Sequence, residues 1–180
     1  VSIGSRGNTF QSLVRAIIYQ QISGKAAASI MRKFEALFPQ KRGKAKFPTP
    51  EQVRKLTPAK LRTAGISPQK AGYLLDLAEK FHDGTIQPKK FPTMTNQEIS
   101  EHLIRVKGIG QWTADMFLIF TLGRLNVLPV GDLGIQRGFK VHYNLRKFPN
   151  AVQMERLARP GRQFASVGCW YLWRLADENK

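Results

Sequence analysis

The sequence is poor in cysteine and in long apolar runs. Cys169 is the only cysteine among 180 residues, which excludes a disulfide within the chain and any zinc or iron-sulfur site that needs four cysteines. We expect this thiol to be buried packing, in a protein from a reducing compartment. No apolar run approaches the ~20 residues of a membrane-spanning helix, so no membrane partner is expected.

Acidic side chains are also scarce. Asp and Glu number 12 against 29 Lys and Arg, and the formal net charge is +17. This excess goes beyond what solubility requires and predicts a polyanionic partner. RNA and membrane surfaces would attract the same charge, but no basic amphipathic stretch stands alone at either end of the chain. A generically basic protein is the alternative interpretation.

The pattern of apolar residues predicts an all-α fold. The chain is 42% hydrophobic, enough for one domain over residues 1–180 with a core that can be split into two lobes. Helical periodicity recurs, and no segment alternates as a strand would. A first helix is predicted from Asn8 to about Gln21, and Ser23 is expected to cap a second. Further helix starts are marked by capping residues, namely Thr49, Thr57, Ser67, Thr95, Asp132 and Asn150.

Residues 103 to 122 have the pattern of a helical hairpin. Two apolar helical segments are joined by Lys107, Gly108, Ile109 and Gly110. The glycines permit a tight turn, so that backbone amides at the start of the second helix can bind a phosphate oxygen, aided by the helix dipole and by Lys107. Many helix pairs turn on glycine, but together with the net charge the pattern favours phosphate binding.

Most carboxylates have an ordinary explanation in amphipathic helices, caps or chain ends. Asp115 lies one turn into the second helix of the hairpin, where an acid favours the helix dipole, and we interpret it as structural. Asp132 follows a turn and precedes an apolar helical segment, a position suited to a helix cap. The pattern by itself is compatible with a cap alone or with a catalytic carboxylate.

Four segments resemble one known family. They are residues 19–27 (YQQISGKAA), 106–114 (VKGIGQWTA), 128–138 (LPVGDLGIQRG) and 170–174 (WYLWR). In order and spacing they are similar to the helix-hairpin-helix DNA glycosylases, in the branch of 3-methyladenine glycosylases. The resemblance implies two helical lobes with a cleft between them, and a monomer that binds duplex DNA containing damaged bases. It also implies hydrolysis of the N-glycosidic bond of alkylated purines, the first step of base excision repair. Such an enzyme is expected inside the cell, in the nucleus of a eukaryote and otherwise in the cytoplasm with the chromosome.

The resemblance implies roles for particular residues. Asp132 matches the catalytic aspartate, and the base pocket would be formed by Trp112, Met116 and Phe164. Trp170 and Trp173 are instead expected to pack the last helix into the core. Gln21 would fill the gap that a flipped base leaves. The full set of implied DNA contacts is Gln21, Ile22, Ser23, Lys107, Gly108, Gly110 and Thr113.

The implied reaction needs no organic cofactor. A base alkylated on a ring nitrogen carries positive charge and leaves readily, so that one carboxylate can suffice where most glycoside hydrolases use two. The resemblance also implies a structural cation at the backbone carbonyls of Ile104, Val106 and Ile109. Trp112 occupies the position at which bifunctional relatives carry a nucleophilic lysine, so no lyase activity is expected.

One segment departs from the family pattern. Gly161, Gln163 and Ala165 replace a Trp, a Pro and an Arg that relatives usually carry. The departure motivates one alternative function, a non-catalytic protein that binds damaged DNA. A glycosylase for deaminated or oxidised bases is another alternative. A third takes the basic loop as a nuclear-import or RNA-binding element, through Lys41, Arg42, Lys44 and Lys46.

Overall fold

A computed structural model describes residues 8–38 and 47–178. Within these ranges the chain forms helices and no strand, which confirms the predicted all-α class. No helix there is both long and apolar enough to span a membrane. The basic loop with Lys41, Arg42, Lys44 and Lys46 lies outside the described residues. The helices are α1 (Thr9–Tyr19), α2 (Gly24–Ala36), α3 (Pro50–Arg54), α4 (Pro58–Arg62), α5 (Pro68–His82), α6 (Asn96–Leu103), α7 (Gln111–Phe120), α8 (Leu133–His142), α9 (Ala151–Ala158) and α10 (Ala165–Glu178), with 3₁₀ helices at Pro88–Thr93 and Arg159–Phe164.

Side-chain caps start the helices where the sequence predicts them. Thr95 and Glu98 form a reciprocal capping box at the start of α6. Each cap accepts a backbone N–H that the first helical turn would leave unpaired. The other confirmed caps are Ser23, Thr49, Thr57, Ser67, Asp132 and Asn150. The predicted end of α1 was two residues too late: the helix ends at Tyr19, and Gln21 has a φ of +57°.

The described residues form two compact units, one up to Gly110 (the N-terminal unit) and one from Gln111 onward (the C-terminal unit). In the N-terminal unit, α1 and α5 supply much of the core. Four of the eleven residues of α1 have no exposed surface because they recur at helical spacing. The fully buried residues of these two helices are Phe10, Leu13, Val14, Ile17, Ile18, Ala71, Leu74, Leu77 and Ala78.

In the C-terminal unit, α8 packs closely against α10. Gly138 permits this approach, because a Cβ at that position would overlap the backbone carbonyl of Leu172. The core between the helices contains Ile135, Phe139 and Cys169. Burial raises the pKa of the Cys169 thiol to about 12, so it is an inert packing group, as predicted.

The expected placement of Trp170 in the core was wrong. Its side chain is 38% exposed. The buried positions of α10 are instead taken by small residues, among them Ala165, Ser166 and Cys169. Small side chains there match the close approach at Gly138, which leaves little room for an indole between the helices.

Substitution of Gly138 by Ala tests the close contact of α8 with α10. The added methyl group must displace backbone, so we expect Gly138→Ala to lower the free energy of unfolding by about 1–3 kcal/mol, measured by urea denaturation. Gly168→Ala is the matched control, because Gly168 lies in α10 with no heavy atom within 4 Å of an added Cβ. The control should be neutral or more stable by up to ~1 kcal/mol. Equal stability of the two variants would contradict the packing described here.

Candidate active site and DNA-contacting loops

Asp132 lies at the N-terminus of α8, at the end of a tight turn. Its backbone N–H donates to the carbonyl of Pro129 at 2.9 Å. Its Oδ1 accepts the backbone N–H of Ile135 at 2.8 Å, which makes it the cap that the sequence predicts. The side chain is therefore oriented by the helix that it caps.

Two indole groups donate to the same carboxylate. Trp112, in the first turn of α7, donates its Nε1–H to Asp132 Oδ2 at 2.6 Å. Trp173, on α10, donates its Nε1–H to Asp132 Oδ1 at 2.9 Å. Asp132 is only 9% exposed, and a buried carboxylate is tolerated when donors satisfy it. A carboxylate has about four acceptor positions. With three donors in place, Oδ2 retains the capacity to accept one more, such as a water molecule.

The residues around Asp132 are only partly those that the sequence predicts. Trp112 is 51% exposed, so about half of its surface is accessible to a ligand. Phe120 stacks on Trp173 at a centroid distance of 5.8 Å. Sequence reasoning missed Phe120, although it lies eight residues after Trp112 on the same helical face. It also missed the polar role of Trp173, which packs against the core but binds Asp132 through its N–H.

Phe164 lies at a different place in the C-terminal unit. It is 53% exposed at the end of a 3₁₀ helix. It lines an apolar cavity of about 320 Å³, whose lining does not include Asp132, Trp112 or Met116. Gly161 and Ala165, two of the positions that depart from the family pattern, line the same cavity. The small residues of that segment therefore leave open space beside Phe164.

Asp115, in α7, is a second buried carboxylate of the C-terminal unit. Its Oδ1 accepts a hydrogen bond from Gln111 Nε2 at 2.8 Å, and burial raises its pKa. Thr113, a predicted DNA contact, is only 7% exposed. Its side chain therefore offers little surface to a ligand.

In the N-terminal unit, residues 20–23 form an exposed loop between α1 and α2, named here the α1–α2 loop. Gln21 is exposed, with the left-handed backbone that is uncommon for residues other than glycine. Ile22 is exposed as well. Ser23 Oγ accepts the backbone N–H of Ala26 at 3.3 Å. Of the three predicted contacts in this loop, Gln21 and Ile22 present their side chains outward and Ser23 acts as a cap.

The turn after α6 carries the other predicted contacts. Gly108 has a φ of +82°, and a Cβ there would overlap the ring of Tyr73. The backbone N–H of Lys107 donates to Asp76 Oδ2 at 2.8 Å, while its side chain is exposed. Nothing lies within 4 Å of a Cβ built at Gly110. Contacts with α5 therefore hold the turn at Lys107 and Gly108, whereas the space beside Gly110 is accessible.

Side chains of the described ranges form no group of three or more His, Cys, Asp or Glu that could hold a metal ion. The structural cation that the family resemblance implies would instead bind backbone carbonyls. The Val106 carbonyl accepts the N–H of Ile109 at 3.0 Å. A carbonyl oxygen has two lone pairs, so this one can still coordinate a cation.

Comparison with known proteins finds relatives that are named as 3-methyladenine glycosylases or glycosidases. The chain is 34% identical over 175 residues to DNA-3-methyladenine glycosylase 1 of Schizosaccharomyces pombe, covering 95% of this chain and 75% of that protein. It resembles the crystal structure of a DNA-3-methyladenine glycosidase from Bacillus halodurans, with a TM-score of 0.86 and 37% identity over 98% of this chain and 79% of that one. It also resembles 3-methyladenine DNA glycosylase Mag1 of S. pombe in complex with abasic DNA, with a TM-score of 0.77 and 32% identity over 95% and 82% of the chains.

The family described as HhH-GPD superfamily base excision DNA repair protein matches residues 14–163, most of the chain. The match includes the α1–α2 loop, the turn at Gly108 and the Asp132 cap. The chain belongs to the HhH-GPD superfamily of base excision DNA repair proteins.

Proposed function

We propose that this chain is a monofunctional DNA glycosylase that hydrolyses the N-glycosidic bond of alkylated purines, such as 3-methyladenine, in duplex DNA. The observation that carries the proposal is the carboxylate of Asp132, held by two indole N–H groups of which one belongs to the half-exposed Trp112. The relatives that bear the name of this activity support it. The enzyme acts as a monomer on chromosomal DNA inside the cell, and its reaction is the first step of base excision repair.

Asp132 acts on the sugar rather than on the base. As the glycosidic bond breaks, the sugar becomes oxocarbenium-like, and a nearby carboxylate stabilises that cation and orients the attacking water. One backbone N–H and two indole N–H groups fill three of the four acceptor positions of the Asp132 carboxylate. The remaining position, on Oδ2, is the one for that water. The alkylated base leaves without a general acid because it is already cationic. The exposed face of Trp112 attracts such a base by stacking and cation–π interaction, worth roughly 0.5–2 kcal/mol.

The N-terminal unit holds the DNA in this proposal. Backbone amides near Gly108 and Gly110, with the charge of Lys107, bind a phosphate without reading sequence. Gln21 fills the gap left by the flipped base, and Ile22 lies beside it. A structural cation on the carbonyls of Ile104, Val106 and Ile109 would add positive charge at the same turn.

Substitution of Asp132 by Asn tests the catalytic assignment. Asn still caps a helix well, but it lacks the negative charge that stabilises the sugar cation. We expect release of methylated purines from methylated duplex DNA to fall by about 10²–10³-fold, with affinity for abasic DNA retained.

Asp115→Asn is the matched control, because Asp115 is a buried carboxylate of the same unit that lies on α7. It should release methylated purines at nearly the wild-type rate. An unchanged rate in Asp132→Asn would exclude the carboxylate from the chemistry. A folded wild-type chain that binds abasic DNA and releases no base would instead favour the non-catalytic damage-binding protein.

Substitution of Trp173 by Phe tests the second indole. Phe keeps an aromatic ring beside Phe120 but removes the N–H that binds Asp132 Oδ1. Because hydrogen bonds to charged groups are worth about 1.5–3 kcal/mol, we expect the single-turnover rate to fall by at least about 10-fold. Trp170→Phe, on the exposed side of the same helix, should be close to wild type. Equal rates in the two variants would show that the Trp173 N–H has no part in catalysis.

Borohydride trapping tests the absence of lyase activity. Lyase chemistry requires an amine that forms a Schiff base with the sugar, and the indole of Trp112 provides none. We expect no covalent enzyme–DNA adduct when the protein is incubated with abasic DNA and sodium borohydride, under conditions that trap a bifunctional 8-oxoguanine glycosylase. A trapped adduct would contradict the monofunctional mechanism.

A further inference from the structure

Lys70 of α5 binds the end of α1. Its Nζ donates to the carbonyl of Ile18 at 2.8 Å and to the carbonyl of Gln20 at 2.7 Å. Carbonyls at the last turn of a helix lack partners within the helix, and a cation there also interacts favourably with the helix dipole. The Lys70 ammonium therefore caps the C-terminus of α1 and holds Gln20, the first residue of the α1–α2 loop, in place.

The next contact joins the α1–α2 loop to the turn after α6. Gln20 Nε2 donates to the carbonyl of Gly108 at 2.9 Å, across 88 residues of sequence. The same turn is fixed by α5, where Tyr73 packs against Gly108 and Asp76 accepts the backbone N–H of Lys107. Lys70, Tyr73 and Asp76 are spaced at i, i+3 and i+6, so each lies about one turn of α5 from the next. One helix thus holds two segments that the proposed function assigns to DNA.

Residues 21–23 of the α1–α2 loop are exposed, and the loop borders a cavity. A cavity of about 220 Å³ is lined by Gln21, Ile22 and Lys70, among others. Gln21 also has a left-handed backbone, which costs free energy for a residue other than glycine and persists only when the surroundings impose it. Polar contacts to the preceding residue, Gln20, can impose it.

We propose that Lys70 and Gln20 are positioning residues that hold the α1–α2 loop in the conformation that presents Gln21 to DNA. The inference rests on the proposed function, in which Gln21 fills the gap left by a flipped base. Lys70 acts through the loop, because two of its three N–H groups are already donated to the backbone carbonyls of Ile18 and Gln20. Gln20 connects the α1–α2 loop, which the proposed function assigns to gap filling, to the Gly108 turn, which it assigns to phosphate binding.

A double-mutant cycle distinguishes positioning from direct contact. Lys70→Met and Gln21→Ala are made singly and together, and binding is measured to duplex DNA carrying a tetrahydrofuran abasic site opposite 2-aminopurine. We expect each single variant to bind about 10-fold more weakly, and the double variant to bind no more than about 2-fold more weakly than either, because both changes remove the same interaction. The 2-aminopurine fluorescence change on binding, which reports base unstacking, should fall in all three variants.

Salt dependence and two further variants complete the test. Lys70→Met should leave the slope of log affinity against log salt unchanged, whereas loss of a phosphate contact lowers that slope by about one. Lys70→Arg should restore binding, since a guanidinium can donate to both carbonyls. Lys80→Met removes the same charge from the same helix, where Lys80 pairs with Asp83, and should bind like wild type.

Gln20→Leu tests the inference without altering Lys70, and should weaken abasic-site binding and reduce the fluorescence change even if Lys70→Met fails to fold. Additive effects in the cycle, a lower salt slope for Lys70→Met or wild-type binding by Gln20→Leu would each overturn the inference. Base release is measured separately. A wild-type chain that shows the expected cycle but releases no methylated purine would contradict the proposed glycosylase activity and leave the positioning role intact.

Discussion

The C-terminal unit depends on the hydrogen bonding of one carboxylate. Asp132 caps α8 through the backbone of Ile135, and it accepts an indole N–H from Trp112 of α7 and another from Trp173 of α10. A buried carboxylate is costly when its acceptor positions are empty. Since three helices supply its donors, the group that defines the candidate site also fixes the relative placement of those helices.

The contacts that stabilise Asp132 also orient it for the proposed reaction. The three donors hold its oxygens in one orientation, and an orientation held before the substrate arrives costs nothing during the reaction. Trp112 donates its N–H to Asp132 and remains half exposed, which suits the base-binding role proposed for it. Close packing of α8 on α10 at Gly138 brings Trp173 within reach of the same carboxylate.

The N-terminal unit fixes its exposed loops in another way. Segments that touch DNA must remain at the surface, so they cannot be held by burial alone. Here α5 holds the two segments proposed to contact DNA through polar contacts and through the close approach of Tyr73 to Gly108. Each of these segments contains a residue with a left-handed backbone, Gln21 in the loop and Gly108 in the turn.

The sequence by itself determined the helical class, the helix starts and the family. Thr95, Asp132 and Asn150 could be recognised as caps because each bonds to an amide two or three residues away. It did not determine which groups bind the Asp132 carboxylate, because Trp112 and Trp173 lie 20 and 41 residues from it along the chain. Only the tertiary structure decided that Trp173 binds the carboxylate, that Trp170 is exposed, and that Lys70 closes α1. Periodicity reports which face of a helix is buried, but not which distant side chain that face will meet.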